Sequence, residues 1–575
     1  MKRIATLSFK GMLIPALLLL ITTQRTEAQT YMWYHAFGGI DAEFPTHLSL
    51  DHHGNTYLTG AYYSPIFNAG SLTVPWGATE NYFIVKLDPA GNPVLLRKGH
   101  SGGIMSKRVY ADSKENFYFV GTYLGHPFLI QNEPLQGCLF GLESGIIVRY
   151  NAQGQIMWHK SLLCNEFLES VIAHVVAGDN DIILAGSGFD SLYCQLSNQT
   201  NWEYQLNIRS LDSLGSTKWK QSLHSPQSLH NTRMQLRQIH HGRDNYIYVV
   251  GYKHYDTLLL NGLYFDSSPY NVFILRMDTA GVIHDHFYVE SDDAFDVNDI
   301  AVDSDGNLYL GGYFTDSVFQ IHGMPLFVNA SPVLPHHELF LAKFTSQGNP
   351  VWVNTIQGAS GSTAGKWSLN IGLDDAGNIY RAGNIWGPEL NLSSGVSLAT
   401  NNPTGGNTFL LRYDSTGDLN SYLLSSHSTP VGSLPSRPVF DVAGFDDVVL
   451  SGGSVPGYPL FGTDSVIEYG GLSDVFVGRL SMIIDVPKPE RGEISVNLYP
   501  NPVADDLNVE FRSGELSFPT KIRILDLHGR EMESRNLSCD ETRTVFSCQH
   551  LSPGVYLLHI SGDQVDMMRK FLVTR

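Results

Sequence analysis

The sequence predicts an all-β protein, and three observations lead to this prediction. One phrase recurs seven times, with an apolar strand, a polar turn and a second apolar strand closed by glycine. The segments between the phrases are rich in β-branched and aromatic residues and have no helical period. Turn residues separate all of these segments at short intervals. The closing glycines lie 61 to 71 residues apart, at Gly60, Gly121, Gly186, Gly251, Gly312, Gly383 and Gly452. A period of this length indicates stacked modules of similar structure.

Each repeat is predicted to contain four short strands. In the fifth copy, the segments Val297–Ser304 and Asn307–Phe314 flank a turn and form a hairpin. A third strand over Leu339–Thr345 and a fourth over 349–358 follow after a variable stretch. Four antiparallel strands in each repeat are typical of a propeller blade. The sequence therefore predicts a seven-bladed β-propeller over residues 29–483, followed by a small C-terminal β-sandwich.

The two ends of the repeat region predict a closed ring. The seventh set of strands ends at Asp474–Leu480, and no fourth strand follows it. The segment 31–39, before the first copy, is similar to the other fourth strands. We expect it to pair with the seventh set and to close the last blade, because closure removes exposed sheet edges. An open solenoid is the alternative arrangement.

The N-terminus and the composition limit the class of protein. Residues 1–28 combine basic residues, an apolar run and a small residue, Ala28, which predicts a cleaved signal peptide. No other segment is long and apolar enough to span a bilayer, so we expect no transmembrane segment in the mature chain. The formal net charge of −19 disfavours nucleic acid as a partner.

The cysteine count leaves disulfide pairing open. Five cysteines cannot all pair within one chain: Cys138, Cys164, Cys194, Cys539 and Cys548. Cys539 and Cys548 are near neighbours in sequence, and a disulfide between them after export is one alternative. No cysteine or histidine spacing indicates zinc, and we predict no cofactor, no metal site and no catalytic residue.

A second module begins after a linker over 484–492 and occupies residues 493–575. Three short motifs occur in it in order, namely YPNP, D-x-x-G and L-x-x-G-x-Y, before a basic and apolar end. The module resembles the type A sorting domain of the bacterial type IX secretion system. The residues that carry the resemblance, and therefore the predicted sorting signal, are Tyr499, Pro500, Asn501, Pro502, Asp526, Gly529, Gly554, Tyr556 and Lys570.

This resemblance implies export through the periplasm to the outer-membrane surface or the medium of a Bacteroidetes-type bacterium. Its implied partner is the type IX secretion machinery. The resemblance also implies that the final segment, Met567–Arg575, forms a strand with Phe571 and Val573 packed and Lys570 exposed. The repeats resemble the SBBP family of β-propeller repeats, whose phrase is D-x-x-G-N-x-Y-x-x-G; this family describes a scaffold without a common reaction.

Several patterns have both a functional and a structural interpretation. The turn at Asp303 has oxygen ligands suitable for calcium, but its copies vary as hairpin turns do. The tryptophans of three G-x-x-x-W patterns favour packing between blades over a quinone site. A basic residue recurs in the third strands and favours ion pairs, with Asp88 or an adjacent blade, over an anion channel. These basic residues are Lys86, Arg149, Arg209, Arg276, Lys343, Arg412 and Arg479.

The function that the sequence favours is a non-catalytic binding or adhesion scaffold. Variable inserts between the second and third strands are predicted to present binding loops, with a glycan or a surface protein as the partner. The alternative is a carbohydrate-active hydrolase or lyase with its site at one mouth of the propeller. A purely architectural surface protein is the third alternative.

Overall fold

A computed structural model describes much of the chain between Tyr31 and Thr574. The residues outside the description are 1–30, 77–79, 102–103, 125–127, 131–132, 136–142, 163–168, 176–181, 190–203, 225–233, 255–257, 261–262, 266–269, 291–294, 315–317, 322–323, 328–337, 359–370, 387, 393–395, 401–405, 426–437, 445–446, 455–468, 470–472, 482–494, 502, 513–519, 527–530, 538–542, 563–564 and 575. Within the described residues, every regular secondary-structure element is a β-strand, so the all-β prediction is confirmed.

Seven antiparallel sheets with four core strands each follow one another along the chain, and we number them 1 to 7. Sheets 1 to 3 contain, in spatial order, Glu43–Leu50, Thr56–Tyr62, Glu80–Leu87 and Pro93–Ser101; Ile104–Ala111, Phe117–Leu124, Glu143–Tyr150 and Ile156–Leu162; and Glu169–Val175, Ile182–Phe189, Tyr204–Leu211 and Thr217–His224. Sheets 4 and 5 contain Met234–His241, Ile247–His254, Tyr270–Met277 and Ile283–Glu290; and Phe295–Val302, Leu308–Phe314, Glu338–Phe344 and Pro350–Gly358. Sheets 6 and 7 contain Ile371–Leu373, Ile379–Trp386, Gly406–Tyr413 and Leu419–Leu424; and Val439–Gly444, Asp447–Ser454, Asp474–Ser481 and Tyr31–Phe37.

Sheet 7 combines the two ends of the repeat region. Its fourth strand is the N-terminal segment Tyr31–Phe37, which pairs antiparallel with Asp474–Ser481. This N-terminal strand also has the same irregularity as the other fourth strands. Each fourth strand carries one bulged residue just after its start: Met32, Val94, Met157, Lys218, His284, Val351 and Asn420. The repeat unit is therefore reproduced in its local backbone geometry as well as in its strand count.

Neighbouring sheets contact each other through their first strands. Each first strand lies at the edge of its sheet and packs against the first strand of the next sheet, and that of sheet 7 packs against that of sheet 1. At several junctions a side chain of one sheet accepts a hydrogen bond from an edge amide of the next. His47 accepts one from Val109 N at 3.4 Å, and Tyr252 Oη accepts one from Val297 N at 2.7 Å.

The phrase-closing glycine fits this close arrangement of strands. A Cβ on Gly60 would lie 2.1 Å from the carbonyl oxygen of Phe44 in the first strand, and 2.7 Å from the Phe83 ring in the third. Any side chain at this position would collide with backbone. In sheet 1 the phrase therefore requires glycine because the first and second strands approach each other closely.

The variable inserts, which were predicted to present binding loops, also contain regular structure. In the described residues they contain short hairpins, and three hairpins extend the fourth strand of the preceding sheet. The hairpins that extend sheets 1, 3 and 5 are Phe128–Ile130 with Glu133–Leu135, Leu258–Leu260 with Leu263–Phe265, and Glu389–Leu392 with Ser397–Ala399. Two further hairpins form two-stranded sheets of their own: Ile66–Ala69 with Leu72–Pro75, and Val318–Ile321 with Met324–Phe327. An insert sequence rich in turn residues does not reveal strands of three or four residues.

The C-terminal module consists of two antiparallel sheets. The first contains Ser495–Tyr499, Asp506–Arg512 and Arg543–Ser547 in spatial order, and the second contains Glu531–Leu537, Thr520–Leu525, Gly554–Gly562 and Val565–Val573. Buried side chains of both sheets form one cluster, which includes Leu507, Phe546 and Ile560. Cys548 in this cluster is a buried free thiol, and Cys539, its predicted alternative partner, lies outside the described residues.

Candidate functional site

The polar turn of the repeated phrase is held by its own aspartate. In sheet 5, Asp303 Oδ1 accepts hydrogen bonds from the amides of Asp305 and Asn307 at 3.0 and 2.8 Å. Its Oδ2 accepts from the Asn307 side chain at 2.9 Å and from Tyr309 Oη at 3.1 Å. The same four bonds form around Asp374 in sheet 6. The signature aspartate, asparagine and tyrosine therefore form one structural unit, and the carboxylate is already occupied without calcium.

The recurring basic residues form contacts within and between sheets. Lys86 Nζ lies 2.6 Å from Glu115 in the first turn of sheet 2, and Arg149 lies 2.9 Å from the buried Asp112. Arg479 binds Asp447 through Nε and Nη2. The ion-pair interpretation is confirmed for these three residues, although the acid that contacts Lys86 is Glu115 and not Asp88.

The prediction was wrong about one of these basic residues. In sheets 1 and 2, Lys86 and Arg149 lie opposite the signature tyrosine three residues before the phrase glycine. In sheet 3 this place is taken by Ser210, opposite Ile183, and Arg209 lies opposite Leu184. The turn that follows this strand has the same length in sheets 1, 2 and 3, so Arg209 lies one position earlier in its strand than Lys86 and Arg149 and on the opposite face.

Four tryptophans connect their sheet to the next one. Trp158 of sheet 2 donates from Nε1 to the carbonyl of Ser213 at 3.0 Å, and its ring lies about 3 Å from the Cβ position of Gly215. Equivalent bonds run from Trp33 to Pro89, from Trp219 to Thr279 and from Trp352 to Ser415, at 3.1, 2.8 and 3.2 Å. The packing interpretation of the tryptophans is therefore confirmed.

Four histidine pairs in the sequence could suggest metal ligands, but the described ones have ordinary neighbours. They are His52 with His53, His240 with His241, His284 with His286, and His336 with His337. His284 Nε2 lies 2.8 Å from Asp278 Oδ2, and His241 Nε2 lies 3.2 Å from the side-chain oxygen of Asn245. His336 and His337 lie outside the described residues. In the part of the chain that is described, no three histidine, cysteine or acidic side chains come together in a way that could hold a metal ion.

An exposed apolar patch near one end of sheet 1 was missed by sequence reasoning. We call it the aromatic patch, and it comprises Ile40, Phe44, Tyr63, Ile66 and Trp76, each between 39% and 73% exposed. Phe44 and Tyr63 form an edge-to-face pair with ring centroids 6.5 Å apart. The segments are connected by backbone bonds from Tyr63 N to Ala42 O and from Trp76 N to Pro65 O. Exposure of separate apolar residues cannot be read from a sequence that alternates polar and apolar positions.

The predicted sorting residues gather at one end of the second sheet of the C-terminal module. Tyr556 lies opposite Phe571, Gly554 opposite Val573, and Lys570 opposite Leu557. Leu525 also lies opposite Leu557, so Asp526, which follows it, is at the same end of the sheet. Pro502 and Gly529 lie outside the described residues.

The YPNP motif is bound to the last strand. Asn501 Oδ1 accepts a hydrogen bond from Leu572 N at 2.9 Å, and Val503 N donates to Leu572 O at 2.8 Å. Thr574 N donates to Val503 O at 2.8 Å, so the segment after the motif runs as a further short strand beside the C-terminus. The first and last parts of the predicted signal, more than 70 residues apart in sequence, are thus one continuous structure.

The last strand has one packed face and one exposed face. Phe571 and Val573 are buried, as predicted, and the Phe571 ring stacks on Tyr556 at 5.9 Å between centroids. Tyr556 Oη donates to Ser552 O at 3.0 Å. Leu572 and Tyr499 remain exposed, and the last strand and the YPNP motif that contain them lie side by side. The arrangement offers an apolar and polar surface to a protein partner, while the buried residues keep its strand in place.

Comparison with protein families identifies the C-terminal module. Residues 497–574 match the family model described as "Secretion system C-terminal sorting domain". The chain is therefore an exported protein, delivered by type IX secretion to the cell surface or the medium, and the secretion machinery is its partner. No helix among the described residues has the length and hydrophobicity needed to cross a membrane. No curated protein matches the chain.

Solved structures similar to the chain are distant from it. The full extracellular region of plexin A4 shares 8% identity over 93% of this chain and 67% of its own, with a TM-score of 0.40. Dimeric latent PorU from Porphyromonas gingivalis shares 10% identity over 64% of this chain and 31% of its own, with a TM-score of 0.13. A tetra-tandem repeat of a large adhesion protein shares 11% identity over 86% of this chain and 95% of its own, with a TM-score of 0.12.

Proposed function

We propose that residues 29–483 form a closed seven-bladed β-propeller of SBBP-type repeats, carried to the cell surface by the sorting domain over 493–575. The support is the set of seven four-stranded sheets, the bulge repeated in each fourth strand, and the contact between the first strands of sheets 7 and 1. The direction of the junctions also agrees with a ring. Each tryptophan contact and each edge-amide bond described above runs from one sheet to the next.

We further propose that the propeller is a non-catalytic binding scaffold. The observation that carries this proposal is the aromatic patch, in which Phe44 and Tyr63 pair at the surface of an exported chain and three further exposed apolar residues lie on neighbouring segments. Contiguous exposed apolar surface on a soluble protein indicates an interaction site. Tyrosine and tryptophan are common in such sites, because one side chain offers both apolar area and a hydrogen-bonding group. The partner class is a glycan or a surface protein of the bacterium or its surroundings.

Binding of the exported chain to a glycan array and to a surface-protein array tests this proposal. The variant Phe44→Ala/Tyr63→Ala should lose at least tenfold in affinity for any hit, which corresponds to about 1.4 kcal/mol. The matched control is Met157→Ala/Val351→Ala, which removes exposed apolar side chains from two outer strands. Absence of signal on both arrays, or equal loss in both variants, would count against a binding role for the patch.

The alternative of a carbohydrate-active enzyme needs two accessible carboxyl groups close together. Glu43 Oε2 and Asp474 Oδ1 lie 2.9 and 2.2 Å from the position of a Cβ on Gly38, so they lie within about 5 Å of each other. These are the described carboxyl groups that the structure places together near the end of sheet 1. Both residues are nearly inaccessible, at 0% and 1% exposed, so no substrate reaches them in this conformation. Hydrolysis or elimination of any polysaccharide by the exported chain, lost in Glu43→Gln, would support this alternative.

A further inference from the structure

The junction between sheet 7 and sheet 1, which we call the closing junction, contains the acidic residues Glu43, Asp441 and Asp474. Glu43 lies in the first strand of sheet 1 and Asp474 at the start of the third strand of sheet 7. Gly38, which follows the N-terminal strand, separates their carboxylates, and no larger residue would fit between them. Three distant segments of the chain therefore meet at one buried acidic pair.

Hydrogen bonds hold the Glu43 carboxylate in place. Its Oε1 accepts from the Ser64 hydroxyl at 2.5 Å, and its Oε2 accepts from Gly39 N at 3.2 Å. The Glu43 amide donates to Ser473 O at 2.8 Å, which binds sheet 1 directly to sheet 7. Burial raises the pKa of Glu43 above its usual range, its hydrogen bonds oppose this, and nearby Asp41 adds to the rise. A further titratable residue near the pair is Tyr469, whose amide donates a hydrogen bond to Asp474.

A second carboxyl group binds the same two sheets at another point. Asp441 in the first strand of sheet 7 accepts from the amide of Leu50 in sheet 1 at 2.9 Å, and from its neighbour Val442 N at 2.8 Å. Surrounding protein atoms raise the pKa of Asp441 to about 6, with Arg243 opposing the rise and Asp299 adding to it. Three of the described carboxyl groups have a clearly raised pKa. Glu43 and Asp441 bridge the closing junction, and Asp299 is the third.

We propose that the closing junction is a proton-dependent clasp, in which Glu43 with Asp474 and, separately, Asp441 hold sheet 7 to sheet 1 more tightly when a proton is bound. A proton on Glu43 removes the repulsion between two buried carboxylates whose nearest described oxygens are no more than about 5 Å apart. A proton on Asp441 removes the cost of a desolvated charge near Asp299. The proposed function does not depend on this clasp, because binding by the aromatic patch requires no titration.

The direction of the pH dependence follows from the raised pKa values of Glu43 and Asp441. An acid whose pKa is higher in the folded than in the open state contributes stability that is complete below the pKa of the open state. That stability is lost as the pH rises through the folded pKa. The clasp should therefore be tightest near pH 4 and weakest above about pH 7. His35 in the N-terminal strand has a lowered pKa from burial, so its protonation acts in the opposite direction at low pH.

Amide hydrogen exchange of the full exported chain between pH 4.5 and 8 tests the clasp. The probes are the amides of Gly39 and Leu50, which donate to the two carboxyl groups, and the reference is Val297 N at the junction of sheets 4 and 5. Protection factors of the two probes relative to Val297 should fall with rising pH, by up to about tenfold per pH unit for each proton. Glu43→Gln or Asp474→Asn should flatten the curve of Gly39, and Asp441→Asn that of Leu50.

Asp305→Asn is the matched control, because it removes one exposed negative charge in sheet 5 and should leave both curves unchanged. The effect of His35 is present in every variant and cancels in the differences. The proposal is overturned if Gly39 and Leu50 follow Val297 at every pH in the unmodified chain. It is also overturned if the amide variants keep the full pH dependence, since the proton would then bind elsewhere.

Discussion

The repeat sheets and the C-terminal module use the same kinds of residues for opposite purposes. In the repeats, the signature aspartate, asparagine and tyrosine form hydrogen bonds with one another, as around Asp303. In the C-terminal module, the signature residues are divided between a buried part and an exposed part, with Leu572 and Tyr499 facing solvent. A repeated motif that is satisfied within the fold indicates a scaffold. A motif with exposed members that occurs once indicates recognition.

The largest effect is expected from removal of the last ten residues, 566–575. The deletion removes Phe571 and Val573 from the core of the module and the exposed residues beside the YPNP motif. We expect export to fall by at least tenfold, with the chain retained in the periplasm and the tryptophan-linked sheets still folded. Cell fractionation with immunoblotting measures the first result, and the thermal unfolding midpoint measures the second. Normal amounts at the surface or in the medium would contradict the assigned role of the last strand.

The variant Leu572→Asp sharpens the same comparison within the module. Leu572 is exposed, so the change should cost less than about 0.5 kcal/mol of folding stability while it reduces export. Phe571→Ala, which truncates a buried neighbour, should instead cost about 3 kcal/mol and reduce export through unfolding. Thermal unfolding followed by circular dichroism, together with secretion assays, separates loss of recognition from loss of folding. Equal loss of stability in both variants would mean that the exposed face has no separate recognition role.

In the repeat region, Trp352→Ala should show that the junctions are structural. The change removes a bond to Ser415 O and the packing of the ring on the turn at Gly417. We expect a loss of about 2 kcal/mol in the free energy of unfolding, below the range for a fully buried tryptophan because the side chain is partly exposed. Denaturant titration gives the value. Val351→Ala, at the neighbouring exposed bulge, should change stability by less than about 0.5 kcal/mol.

The phrase aspartate gives a similar but separate test. Asp303→Ala removes an acceptor of four hydrogen bonds and should cost about 2 kcal/mol, whereas Asp305→Ala in the same turn should be nearly neutral. Calcium or a chelator should shift the unfolding midpoint of neither the variants nor the original chain. A rise in midpoint with calcium that is lost only in Asp303→Ala would restore the metal interpretation of the turn.

The sequence was sufficient for the features that repeat and for the sorting motifs. Seven copies of one phrase average out local drift, so the seventh copy was counted although its sequence departs from the D-x-x-G-N phrase. Single features were less predictable. Arg209 was misplaced because it stands one residue earlier than the basic residue of the other copies, and neighbouring residues of a strand face opposite sides of the sheet. The insert hairpins were missed because strands of three or four residues have no periodicity. Glu43, Asp441 and Asp474 could not be grouped, since their closeness arises from contact between chain ends about 400 residues apart.

The central proposal is that the N-terminal strand completes the last of seven blades, and a cryo-electron microscopy or crystallographic map of the exported chain tests it most directly. The account predicts seven blades around one axis, with Tyr31–Phe37 as the outer strand of the seventh and Ala36 opposite Phe476. A ring of six or eight blades, an open array of sheets, or residues 31–37 paired outside the last sheet would contradict it.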